Sequence, residues 1–221
     1  MDFLEVFKGR RSIRKFKPDP VPRSVLEEIL SEARWCPSWA NTQPWEVMVA
    51  SGQPLERFKA GQREKVSVRA PHRPDIPTPD KFPPKWHERV ADIGKCCLDA
   101  QGIGREDRDA RNRYYEEMFT LFDAPVLMLL LLDDQLDIPY GMMDLGIFLH
   151  GVCLVAQSKG VGTLVLSTVV RYPDLLRSAL SVPANKRTAM GIAMGYPDES
   201  APINRFDRRR VPVSEFATWV E

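Results

Sequence analysis

Eight residues near the N-terminus, Gly9-Arg10-Arg11-Ser12-Ile13-Arg14-Lys15-Phe16, hold four cationic side chains and one hydroxyl. An arginine fork matches the oxygens of a phosphate or carboxylate two at a time, and a serine hydroxyl can add a further bond. The chain as a whole is balanced, with 31 basic against 30 acidic residues, so this density is local. It suits capture of an anion, although a solvated basic turn would read the same over eight residues. A second set, Ser38, Trp39, Asn41, Thr42 and Gln43, lies between Pro37 and Pro44-Trp45. Its amides, hydroxyls and indoles fit either turn chemistry with a hydrophobic plug or contact with a ligand. A third, Arg205, Arg208, Arg209 and Arg210, sits in the tail.

Other chemistries are poorly served. His72, His87 and His150 lack metal-ligand spacing. The first two flank a proline-rich stretch and read as solvent-exposed, and His150 reads as a hydrogen-bonded core or interface residue. Cys36, Cys96, Cys97 and Cys153 show neither metal spacing nor a disulfide framework, so reduced thiols in a cytoplasm are expected. Cys96 and Cys97 are adjacent on a helix and point apart. A net charge of +1 provides no global field for nucleic acid or an anionic membrane. No basic region followed by an apolar one opens the chain, and the longest apolar run, residues 124–132, contains a proline. A spanning helix needs about 20 residues, so a soluble protein is expected.

The elements that must position these groups follow from periodicity. At 221 residues and 43% hydrophobic, the chain fits one domain, 1–221. A helix over 2–9 delivers the basic cluster, and a second over 25–35 has Leu26, Ile29, Leu30 and Ala33 on one face. A strand at 46–51 and a helix at 54–62 precede the charged, proline-rich stretch 63–85, which reads as a lid or substrate-contacting excursion. Helices are predicted at 86–101 and 106–122, then a strand at 125–132 apolar enough to be covered on both faces. In the apolar helix 140–159, Gly141, Gly146 and Gly151 predict close approach of another helix. A strand after Gly162 reaching Ser167 and Thr168, a helix at 173–180 and a strand at 188–195 follow. The tail, 196–221, reads as an arm reaching a second subunit. Strands interleaved with helices predict an α/β or α+β sandwich.

Taken together and in order, the short segments carry a resemblance. Arg10-Arg11-Ser12-Ile13-Arg14-Lys15-Phe16, Pro37-Ser38-Trp39-Ala40-Asn41-Thr42-Gln43-Pro44-Trp45, Gly160-Val161-Gly162-Thr163, and Gly195-Tyr196-Pro197 with the basic tail resemble the markers of the FMN-dependent nitroreductase family. The resemblance implies an α+β fold, an α/β/α sandwich around a mostly antiparallel sheet, in an intertwined homodimer with an extended C-terminal arm and FMN in the subunit interface. It places Arg10, Arg11 and Ser12, with Arg208 and Arg210, at the FMN phosphate and ribityl chain, and Arg14 near N1 and O2. Pro37, Ser38, Trp39, Asn41 and Gln43 would come from the partner subunit, and a backbone N–H near Ser167 or Thr168 would meet N5. Hydride chemistry would be carried by FMN N5, with no catalytic side chain. NADH or NADPH would serve as donor and a small planar aromatic acceptor, a nitroaromatic or quinone, as oxidant. Residues 63–113 would form the lid, nearest in kind to nitroaromatic and nitrobenzoate reductases. Reductive dehalogenation, other flavin chemistry and a non-catalytic flavin-binding or redox-sensing role are the alternatives. Trp39 in place of a small residue, the Val165-Leu166-Ser167-Thr168 strand, and the lack of an asparagine in Tyr115-Glu116-Glu117-Met118-Phe119-Thr120 depart from the family pattern.

Overall fold

The computed structural model describes residues 2–79 and 81–221, so that Met1 and Asp80, the latter inside the proline-rich loop, lie outside it. Strands β1 (Glu46–Ser51), β2 (Val126–Asp133), β3 (Gly162–Leu166) and β4 (Lys186–Gly195) form one antiparallel sheet in the order β1-β2-β4-β3. Register is set by pairs such as Val49 with Met128, Leu127 with Ala193 and Gly162 with Gly195.

Every residue of β2 before Asp133 is buried, because successive side chains enter opposite cores. Leu127, Leu129 and Leu131 meet Phe58, Leu121 and Leu176 on one face, and Met128, Leu130 and Leu132 meet Ile29, Phe148 and Val152 on the other. Each such side chain contributes roughly 1.5–3 kcal/mol relative to exposure.

Helices α1 (Phe3–Gly9), α2 (Arg23–Ala33), α3 (Gly52–Ser67), α4 (Pro84–Asp99), α5 (Arg108–Phe119), α6 (Ile138–Ser158) and α7 (Pro173–Leu180) make the outer layers. α2 and α6 cover one face of the sheet, and α3, α5 and α7 the other. α6 has the length and composition to cross a membrane, but here it packs on α2 and the sheet. A capping box starts α1, with Asp2 accepting from Leu4 N and Glu5 from Asp2 N.

Several predicted boundaries move for physical reasons. α3 runs on to Ser67, because Arg63, Glu64 and Lys65 are the wet face of a helix whose inner face carries Leu55, Phe58 and Gln62. α5 stops at Phe119, and Leu121, Phe122 and Asp123 take left-handed φ of 61°, 50° and 57°, swinging Leu121 and Phe122 into the core. β3 ends at Leu166, and residues Ser167–Arg171 form a 3-10 turn with Thr168, Val169 and Val170 buried. Of the α6 glycines, Gly151 meets Cys36 just beyond α2, Gly141 meets Leu132 of β2 instead of a helix, and Gly146 meets nothing.

The stretch after α3 is fastened down. Tyr172 donates to Ala70 O at 3.2 Å and Arg73 N to Arg171 O at 3.1 Å. Asp75 accepts from Thr188 N and Oγ1, both at 2.9 Å, and from Arg177 at 3.1 Å.

Candidate functional site

The N-terminal basic segment is laid along the sheet edge. Ile13 N donates to Thr163 O at 2.9 Å and Lys17 N to Tyr196 O at 2.8 Å. Gly162 permits this approach, since a Cβ there would stand 2.7 Å from Ile13 Cγ1. Asn204, 3% exposed, then ties the tail to the same segment. Its Oδ1 accepts from Arg14 N at 2.8 Å, and its Nδ2 donates to Lys15 O at 2.8 Å and Asp198 O at 2.9 Å. Arg11 donates to Phe206 O and stacks 5.6 Å from that ring, and Arg208 donates to Lys8 O at 2.5 Å and to Arg10 O.

A third wall comes from α4. Glu88, Arg89, Asp92, Ile93 and Cys96 recur at helical spacing on one face. Glu215 of the tail pairs with Arg89 at 2.8 Å and Lys85 at 3.5 Å, and Arg209 pairs with Asp92 at 3.3 Å. Between the three walls lies a cleft of about 690 Å³, into which Arg10, Arg11, Ser12, Arg14, Arg208 and Arg210 all open.

The electrostatics of the cleft favour an anion. Burial lowers the pKa of the Arg208 guanidinium, and Arg11, Arg210 and Arg10 lower it further. Burial also lowers that of Arg11, opposed by Asp207 and assisted by Arg14. Arg10 Nε is buried without a hydrogen-bond partner among the described residues. Buried donors are nearly always paired, so an acceptor from a ligand fits there. A phosphate, with oxygens for several guanidinium forks, matches this donor set.

The second predicted set lies elsewhere on the protomer. Pro37, Ser38, Trp39, Asn41 and Gln43 do not line the cleft; their loop leans on the start of α6, where Trp39 N donates to Asp144 Oδ1 at 3.0 Å and the indole meets Tyr140 at 4.1 Å between centroids. Ala40, Asn41 and Gln43 adopt φ of 45°, 56° and 50°, held by Gln43 N donating to Ser38 Oγ at 2.9 Å. Ser167 and Thr168 are also outside the cleft, and the Thr168 hydroxyl is spent on Met118 O at 3.0 Å.

Sequence reasoning passed over Asn204, Asp144 and the inner face of α4. Asp144 carried a signal, as a lone acid in an apolar helical stretch. Asn204 carried none, because two of its three partners, Arg14 and Lys15, lie about 190 residues away.

The nitroreductase family profile matches residues 7–196. The chain belongs to the nitroreductase family. It is 31% identical to a chloronitrobenzene nitroreductase of Comamonas testosteroni, over 98% of this chain and 96% of that one. It is also 31% identical to a 4-nitrobenzoate reductase of Pseudomonas putida, over 92% and 88%. Among solved structures, the FMN-dependent nitroreductase NfnB from Mycobacterium smegmatis, in complex with NADPH, superposes with a TM-score of 0.91 at 29% identity, covering 99% of this chain and 97% of that one. The nitroreductase sandwich is therefore the fold. The family match ends at Tyr196, so the place of Arg208 and Arg210 in this nitroreductase's cleft is known from the coordinates alone.

Proposed function

We propose that this nitroreductase binds FMN in the arginine cleft and uses NADH or NADPH to reduce a small planar acceptor, a nitroaromatic or a quinone. The observation that carries the reading is the buried, unpaired Arg10 Nε, set among arginines from both ends of the chain. Bound FMN supplies two-electron hydride chemistry at N5. The chain supplies position and charge. Arg10, Arg208 and Arg210 hold the phosphate, Ser12 adds a hydroxyl toward the ribityl chain, and Arg14 puts a cation where reduction leaves negative charge on the ring. Arg11 and Arg208 also keep the tail against the N-terminal segment through their carbonyl bonds.

The active unit is a homodimer in this reading. Phe3, Phe7, Met143 and Ile147 of α1 and α6 are exposed on the protomer, and burying them against a second copy removes apolar area from water. The partner's copy of the loop carrying Ser38, Asn41 and Gln43 then completes the flavin site, and the tail beyond Pro212 serves as the arm. Residues 63–113 include α4, whose Ile93 and Cys96 face the cleft as the acceptor roof. Four free thiols support a cytoplasmic setting. Relatives named for chloronitrobenzene and 4-nitrobenzoate support a nitroaromatic acceptor.

Absorption spectra of the purified protein test the cofactor. Arg10→Ala and Arg210→Ala are each expected to weaken flavin retention at least roughly tenfold, the loss of a charge-assisted bond, with thermal unfolding of the flavin-free protein unchanged. Flavin content intact in both variants would end the phosphate assignment.

A further inference from the structure

Behind the arginine wall is a second cavity of about 430 Å³, lined by Phe7, Lys8, Arg10, His150, Arg208 and Arg210. It shares Arg10, Arg208 and Arg210 with the main cleft, so the phosphate expected at those three lies where the two cavities meet. No carboxylate lines it among the described residues. His150, which the sequence suggests is a hydrogen-bonded core or interface residue, is exposed to this cavity on the protomer and makes no hydrogen bond among the described residues. Its ring stands edge-on to Phe7 at 5.4 Å and 88°, which fixes its place on the rim.

We propose that His150 is a phosphate-contacting group of the flavin site, and that it makes FMN retention depend on pH. The proposal rests on the FMN reading above. The charged groups facing the imidazole are Lys8 from α1, Arg10 from the segment after it, and Arg208 and Arg210 from the tail. The acids of α1 and α6, Glu5 and Asp144, do not line the cavity, and they accept from Asp2 N and Trp39 N. On α6 itself, Cys153 is buried beside Thr163, and Cys36 lies against Gly151.

Partial burial first, and then Arg10, lowers the pKa of the His150 imidazole below its ordinary value. A phosphate dianion among the same groups offsets part of their positive charge and, within hydrogen-bond reach of the imidazole, raises its pKa. Binding therefore takes up a proton. The gain in affinity is fully present below the lowered pKa of the free protein and is lost as pH rises through the raised pKa of the complex. Each unit between the two values corresponds to roughly tenfold in FMN affinity.

Flavin-stripped protein titrated with FMN, and separately with riboflavin, between about pH 5.5 and about pH 8.5 tests this, in the wild type, His150→Gln and His150→Asn. The second ionisation of the phosphate, near pH 6, is common to all three proteins and cancels in the comparison. The ratio of wild-type to variant FMN affinity is expected to be roughly tenfold near pH 6 and to approach one near pH 8.5, with no such trend for riboflavin. A ratio that does not change with pH in both variants, or the same trend with riboflavin, overturns the role of His150 while leaving the cleft assignment standing. Failure of wild-type protein to bind FMN more tightly than riboflavin overturns the cleft assignment itself.

Discussion

Two irregular stretches, residues 37–45 and 68–79, each depend on one carboxylate, and they use it in opposite directions. In the first the acid lies outside the loop. Asp144 of α6, 2% exposed, receives Trp39 N, while the loop keeps three non-glycine residues at positive φ and leaves Trp39 52% exposed. In the second the acid belongs to the loop. Asp75 turns inward to Thr188 and Arg177, and the stretch spends its polar groups on its own protomer. Both segments are polar and proline-containing, so composition alone does not separate a presenting loop from a fastened one. What separates them is the direction in which the carboxylate's bonds run. Strain of about 1–3 kcal/mol per residue in the first is held against relaxation by the packing around Asp144 and Tyr140.

The comparison can be broken most severely at Asp75. Asp75→Ala is expected to cost about 2 kcal/mol in chemical denaturation, less than a fully buried pair because Arg177 keeps 32% of its side chain in water. Limited trypsin digestion should then cut at Arg69, with FMN affinity unchanged; resistance equal to wild type would show that the loop does not depend on this acid.

A smaller stability effect, with a larger functional one, is expected at Asp144. Asp144→Ala should cost about 1 kcal/mol, the scale of one lost hydrogen bond, while FMN affinity falls roughly tenfold as the loop loses its shape. If stability falls and FMN binding does not, the loop does not meet the flavin. The smallest change is Ala40→Gly, which removes the Cβ penalty at φ 45° and should raise stability by about 0.5 kcal/mol. A drop in stability would mean that the loop holds less strain than its dihedrals imply.

How much of this could be read beforehand depended on the range of each interaction. The run in β2 was legible because burial on both faces leaves no polar position, and the basic clusters at the two ends because their density stands out in a chain of balanced charge. The limits of α3 were not, since Arg63, Glu64 and Lys65 look like loop until the inner face is known. The left-handed turn at Leu121 and Phe122 has no glycine to announce it. The cleft's third wall was illegible because its partners, Arg89 with Glu215 and Asp92 with Arg209, are more than a hundred residues apart. The exposure of His150 on the protomer was not legible, because its place on an apolar helix does not show which face the sheet covers.

The sheet order has a consequence for biosynthesis. The strand that the ribosome makes last, β4, occupies an interior place and borders two of the others. Until residue 195 has emerged, β3 has no partner strand, only the N-terminal segment at Thr163, and β2 shows one unpaired side to solvent. A nascent chain stalled earlier would expose a long leucine-rich edge, the kind of surface on which aggregation starts.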